Sequence, residues 1–129
     1  MIRRIILVGL LAVAALGASG APVEAKSGAV TVRGHCSGAS VYKLKLSPED
    51  SRIELEFQVD QNRNNRLWRV VLTQNGSTVW RGLRYTRAPS GSFTVRRLLT
   101  NRAGADRIVA RATNVRTGEV CRAVKTVSF

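Results

Sequence analysis

His35, Cys36 and Cys121 carry the most reactive side chains in this 129-residue sequence, which has one histidine and two cysteines. A Cys/His nucleophile pair needs the imidazole within hydrogen-bond reach of the thiol. His35 and Cys36 are neighbours in a stretch that reads as a strand, so their side chains project to opposite faces. The three residues are also too few for a structural zinc cluster, which takes four such ligands. Glu54 and Glu56 share one face of another strand, about 6.6 Å apart by strand rise. That separation could mimic a glycosidase carboxylate pair, but lysines placed opposite them favour a structural role. There is no Gly-x-Ser-x-Gly nucleophile elbow and no metal-ligand spacing. The expectation is a protein without catalytic residues, metal or cofactor.

The two cysteines acquire a meaning from the N-terminus. Arg3 and Arg4 precede an apolar stretch from Ile5 to Ala18. The stretch is short of the roughly 20 apolar residues that cross a bilayer. Val23-Glu24-Ala25 then offers small residues at the −3 and −1 positions of a cleavage site. This pattern reads as a secretory signal, residues 1–25, removed to leave a mature chain of 26–129 with no transmembrane segment. An uncleaved N-terminal anchor is the other reading. In an oxidising, extracellular compartment two cysteines usually form one disulfide, so Cys36 and Cys121 are expected to be bridged. Two buried free thiols are the alternative.

The mature chain alternates apolar and polar residues with period two. Ile53, Leu55, Phe57 and Val59 make the clearest half-buried strand, and Tyr42 to Leu46 alternates in the same way. With Pro48 to Ser51 as a four-residue hairpin loop, Lys45 faces Glu54, Lys43 faces Glu56, Leu44 faces Leu55 and Tyr42 faces Phe57. Asn75-Gly76 is the preferred two-residue type I′ hairpin turn and accounts for the Asn75-Gly76-Ser77 sequon without sugar. Its pairing sets Trp80 beside Val71, opposite the core, and points Arg81 inward. That conflict indicates a bulge, placed at Gly82. Trp80 is then a candidate exposed aromatic for a glycan or partner, with a core position as the rival. Further strands run over 92–99 and 106–113, the latter with Ile108, Ala110 and Ala112 inward and Arg107, Val109 and Arg111 outward. Strands at 29–36 and 120–129 open and close the chain. Seven or eight short strands, about 8–14 residues apart, indicate a single antiparallel β-sandwich domain over 26–129.

Gly104-Ala105-Asp106-Arg107-Ile108-Val109-Ala110-Arg111-Ala112 resembles the late strand of bacterial immunoglobulin-like domains. With Trp68-Arg69-Val70, Asn75-Gly76, Ser90-Gly91-Ser92-Phe93 and Thr117-Gly118-Glu119-Val120-Cys121, the chain resembles small secreted immunoglobulin-like β-sandwich proteins of high-GC bacteria. The resemblance covers most of residues 36–122. It implies an immunoglobulin-like sandwich and an exported protein, and supplies no catalytic residues. An immunoglobulin domain proper sets its two cysteines on opposing inner strands, whereas here they would tie the first strand to the last.

Charge gives the functional lead. The chain holds 21 Lys+Arg against 8 Asp+Glu, a formal net charge of +13. Residues 26–60 are balanced, five basic against five acidic, while residues 61–129 hold fourteen basic residues against Asp106 and Glu119. If consecutive strands run antiparallel, the connections near 37–40, 61–66, 85–91 and 114–119 fall at one end. That end gathers Arg63, Arg66, Arg84, Arg87 and Arg116, with Tyr85 as an accessible aromatic and Asn62, Asn64 and Asn65 among them. Glu49, Asp50, Asn75 and Arg102 fall at the other end. The guanidinium fork makes bidentate, charge-assisted bonds to phosphate and carboxylate. The candidate ligands after export are anionic cell-wall polymers such as teichoic acids, anionic lipid headgroups and extracellular nucleic acid, the last without an obvious stacking platform. General surface charge is the competing explanation, since high-GC codon usage favours Arg, and 17 Arg stand against 4 Lys. A protein-interaction or structural module is the alternative function, its partner unspecified.

Overall fold

Eight strands follow from the alternation: β1 (Val30–His35), β2 (Val41–Glu49), β3 (Arg52–Asp60), β4 (Leu67–Gln74), β5 (Ser77–Tyr85), β6 (Ser92–Thr100), β7 (Asp106–Asn114) and β8 (Val120–Val127). They belong to a computed structural model that describes residues 28–129. The expected signal segment, 1–25, lies outside the described residues. The strands form two antiparallel four-stranded sheets, ordered β1-β2-β3-β6 and β5-β4-β7-β8. This is an all-β, sandwich-like fold with no helix among the described residues.

The inward faces meet in one apolar core. Leu44 and Leu46, Ile53, Leu55, Phe57 and Val59, and Phe93 and Val95 come from the first sheet. Trp68, Val70 and Leu72, Ile108, Ala110 and Ala112, and Ala123 come from the second. Burial of each large aliphatic or aromatic side chain contributes about 1.5–3 kcal/mol, so this period-two pattern is the main drive that puts the strands face to face. Trp68 and Phe93 meet across the core with their rings 6.2 Å apart, and Ala110 and Ala112 of β7 are wholly buried. Val109, expected outward, does lie on the outer side of β7 but is almost wholly covered. It stands opposite Thr73 and Val124, which shield it.

Two registers differ from expectation. In the β2–β3 hairpin, Lys45 stands opposite Glu56, Lys43 opposite Gln58, Leu44 opposite Phe57 and Tyr42 opposite Val59. The turn is the two residues Asp50 and Ser51, both at positive φ, rather than a loop from Pro48 to Ser51. Type I′ turns need that conformation at both central positions, and their twist matches the strands they join. A slip of two residues leaves every side chain on its own face, so the apolar pattern does not distinguish the two registers. In the β4–β5 hairpin, Asn75 and Gly76 form the expected turn at positive φ. The bulge falls at Val79, where the register shifts, and not at Gly82. Trp80 therefore stands opposite Leu72 on the core side, and Arg81 stands opposite Val71 and is exposed.

Candidate functional site

Two loops line a cleft at one end of the sandwich, and a third braces the first of them. The β3–β4 loop runs over 61–66, the β5–β6 loop over 86–91 and the β7–β8 loop over 115–119. Asn62 and Asn65 take left-handed backbone conformations, which asparagine tolerates better than most residues. Thr86, fully buried, staples the β3–β4 loop to the β5–β6 loop. Its amide donates to the Arg66 carbonyl (2.9 Å), its carbonyl accepts from the Asn65 amide (2.8 Å) and its hydroxyl donates to the Arg63 carbonyl (2.5 Å) while accepting from the Arg66 amide (2.9 Å). Gly91, at positive φ, lies flat against the Asn62–Arg63 backbone and leaves no room for a Cβ. Its carbonyl accepts from the Gln61 amide at 3.0 Å. Gln61 Oε1 accepts from the Trp68 indole nitrogen (3.0 Å) and from Asn114 Nδ2 (3.4 Å). Asn114 Oδ1 in turn accepts from the amides of Arg116 and Thr117, each at 3.0 Å. Through these bonds the buried residues fix the backbones of Arg63, Arg66 and Arg116.

The resulting cleft measures about 440 Å³ and is lined by Arg63, Arg66 and Arg116 with Gln61, Asn65, Asn114, Leu67, Val115 and Thr117. No carboxylate is in that lining. The nearest acidic groups have other work: Glu119 accepts from the Ser40 amide (2.9 Å) and hydroxyl (2.8 Å), and Asp60 accepts from the Asn62 amide (2.9 Å). Three guanidinium groups beside amide and hydroxyl donors can bind an oxyanion through several charge-assisted hydrogen bonds at once. The same end carries the covalent tie. Cys36 and Cys121 form a disulfide with their Cα atoms 4.3 Å apart at a sequence separation of 85. It joins the chain just after β1 to the start of β8. Beside it, the Ser37 amide donates to the Val120 carbonyl at 2.8 Å, and the Val120 amide donates to the Ser37 hydroxyl at 2.9 Å.

The five arginines singled out by sequence do not form one group. Arg63, Arg66 and Arg116 share the cleft, whereas Arg84 and Arg87 line a separate depression with Tyr85, Ser92 and Thr94 on the β5–β6 side. The Arg84 guanidinium turns away from the loops. Its carbon lies 5.0 Å from the Trp80 ring centroid, and Nη1 donates to the Leu83 carbonyl at 2.9 Å. Trp80 is not a free exposed aromatic. It is partly buried against the core, rests over Gly82 and has Arg97 5.6 Å from its ring as well. Tyr85, by contrast, is 53% exposed. Glu56 pairs with Arg96 at 2.9 Å on the neighbouring strand; Lys43, expected to face Glu56, stands opposite Gln58 instead. Among the described residues no group of three or more His, Cys, Asp or Glu could hold a metal ion.

Thr86, Gly91, Gln61 and Asn114 escape a sequence reading because their partners are far along the chain. Only Asn114 carries a local signal: an asparagine ahead of Arg116-Thr117-Gly118 has the Asx-turn signature. No family model matches the chain, and neither curated proteins nor solved structures yield a match.

Proposed function

We propose that this chain is an exported, non-catalytic binding module that holds anionic extracellular or cell-wall polymers through the arginines of its loop end. The observation that carries the reading is the cleft of Arg63, Arg66 and Arg116, whose lining includes amide and hydroxyl donors but no carboxylate. Thr86 and Asn114 are buried and hydrogen-bond to the backbones of these arginines, which fixes the shape of the cleft before any ligand arrives. Export forms part of the proposal. The Cys36–Cys121 disulfide is compatible with it, as is the absence of a helix long and apolar enough to cross a membrane among the described residues. The immunoglobulin-like type is likewise part of the proposal, beyond the two antiparallel four-stranded sheets themselves.

Calorimetric titration with tripolyphosphate tests the cleft. The protein is expected to bind in a salt-sensitive way, and a variant with Arg63→Ser, Arg66→Ser and Arg116→Ser to lose binding at least tenfold. Equal affinity in the two proteins overturns the proposal. Export is tested by sequencing the N-terminus of the secreted product, which is expected to begin at Lys26. A second reading, a protein-interaction or structural module, draws on the exposure of Leu83 (54%) and Tyr85 (53%) on edge strand β5. Its mark is a dimer or complex that survives high salt in sedimentation.

A further inference from the structure

The outer face of the β5-β4-β7-β8 sheet carries Arg69, Arg81, Arg107, Arg111 and Arg122, all exposed. None of the outward positions on these four strands is acidic. The strand register sets Arg81 opposite Val71, Val71 opposite Arg111, and Arg111 opposite Arg122, a row running across the sheet. Arg111 and Arg122 are a directly opposed like-charge pair, an arrangement that costs stability in an antiparallel sheet. The other sheet manages its charge differently. Its outward arginine Arg96 is paired with Glu56, Arg52 stands opposite Glu49, and Glu54 and Asp60 share the same face. An uncompensated row on one face only is what an external polyanion would neutralise.

The face is continuous with the cleft. Leu67 lines the cleft and belongs to β4, and Arg69 is two residues further along the same strand on the same side. From Leu67 to Val71, beside the Arg81–Arg111–Arg122 row, is four residues, about 13 Å by strand rise. We infer that one flexible, linear polymer of phosphates lies in the cleft and continues over this face, gripped by its charge and not by any base or sugar. The inference rests on reading the cleft as an anion site and extends the contact from the cleft to the sheet face. A planar lipid surface would meet the row but could not also enter a cleft between loops. A nucleic-acid strand would be expected to use stacked aromatics, and Tyr85, near the edge, is the only aromatic at the outward positions.

The test compares long-chain inorganic polyphosphate with tripolyphosphate, using the cleft variant above and a face variant with Arg81→Ser, Arg111→Ser and Arg122→Ser. The face variant is expected to bind tripolyphosphate as the parent does, and long-chain polyphosphate on the order of 100-fold more weakly. Its log–log salt slope should be shallower by about two to three, because each lost phosphate contact removes close to one unit. Unchanged long-chain affinity in the face variant overturns the inference. If tripolyphosphate binding survives in the cleft variant, the cleft reading fails separately, and the face is still judged by its own variant. Two further outcomes also overturn it. One is phosphatidylglycerol vesicles, but not polyphosphate, losing affinity for the face variant. The other is oligothymidylate of equal charge binding far more tightly than polyphosphate.

Discussion

At one end of the sandwich β2 turns into β3 through Asp50-Ser51 and β4 into β5 through Asn75-Gly76, while at the other end every connection is a loop of five or six residues. The short-turn end is closed around a carboxylate. Asp106 is fully buried and accepts from Gln74 Nε2 and Asn75 Nδ2, each at 3.0 Å, and from the Arg102 amide at 3.1 Å. Gln74 also donates to the Thr100 carbonyl at 2.7 Å. The loop end is held by a disulfide, by Thr86 and by side-chain amides, and its carboxylates Glu119 and Asp60 accept from Ser40 and from the Asn62 amide. The acidic groups of the second half of the chain are thus both spent on internal bonds. Its arginines are left to face solvent without acidic partners from that half. The difference teaches that the basic excess is arranged by where the carboxylates are used, as much as by where the arginines are placed.

The largest expected effect breaks the loop end. Replacing both cysteines, Cys36→Ser and Cys121→Ser, should cost about 2–5 kcal/mol, as loss of a native disulfide from a small exported domain does. Urea unfolding of the variant and the parent measures it. A loss under about 1 kcal/mol would mean that the hydrogen bonds of Ser37, Ser40 and Glu119 hold this end without the bridge.

Next comes the short-turn end. Asp106→Ala removes the acceptor shared by three donors and leaves the Arg102 amide and Asn75 Nδ2 without it, at about 2–4 kcal/mol. Anion binding at the opposite end should be unaffected, so the two ends separate in one variant when the unfolding midpoint falls and tripolyphosphate affinity does not. A smaller loss, about 1–3 kcal/mol, is expected for Thr86→Val. The new side chain has nearly the same shape but cannot serve the Arg63 carbonyl or the Arg66 amide. In this case stability and tripolyphosphate affinity should fall together, because the bonds it breaks position the arginines.

How much of this is legible in the sequence depends on how far apart the interacting residues lie. The strands can be read because Ile53, Leu55, Phe57 and Val59 repeat with the period of the pleat, and the β4–β5 turn because Asn75-Gly76 tolerates the conformation the turn needs. The disulfide is expected from two cysteines once residues 1–25 are read as an export signal. The β2–β3 register is not legible, since a two-residue slip preserves both faces. Nor is the bulge at Val79, which is set by the demand that Trp80 reach the core while Arg81 leaves it. Antiparallel succession is enough to send Arg63, Arg66 and Arg116 to one end. It says nothing of the direction of a long side chain, and Arg84 folds back onto Trp80 because an aromatic face attracts a guanidinium. Thr86 and Gly91 act on the cleft through a loop 20 or more residues away.

The smallest expected effect sharpens the comparison most. Arg116 and Arg102 are both exposed arginines in loops, at the cleft end and the short-turn end respectively. Each contributes its backbone amide to a structural hydrogen bond, to Asn114 and to Asp106, and neither needs its side chain for that bond. Arg116→Ala and Arg102→Ala should therefore each change stability by no more than about 0.5 kcal/mol, as surface substitutions usually do. They remove the same charge from the molecule. If net charge alone attracts anions, the two variants lose tripolyphosphate affinity equally. If the cleft is the site, Arg116→Ala loses it severalfold more than Arg102→Ala. The gap between them persists at an ionic strength where long-range attraction is screened beyond about 8 Å.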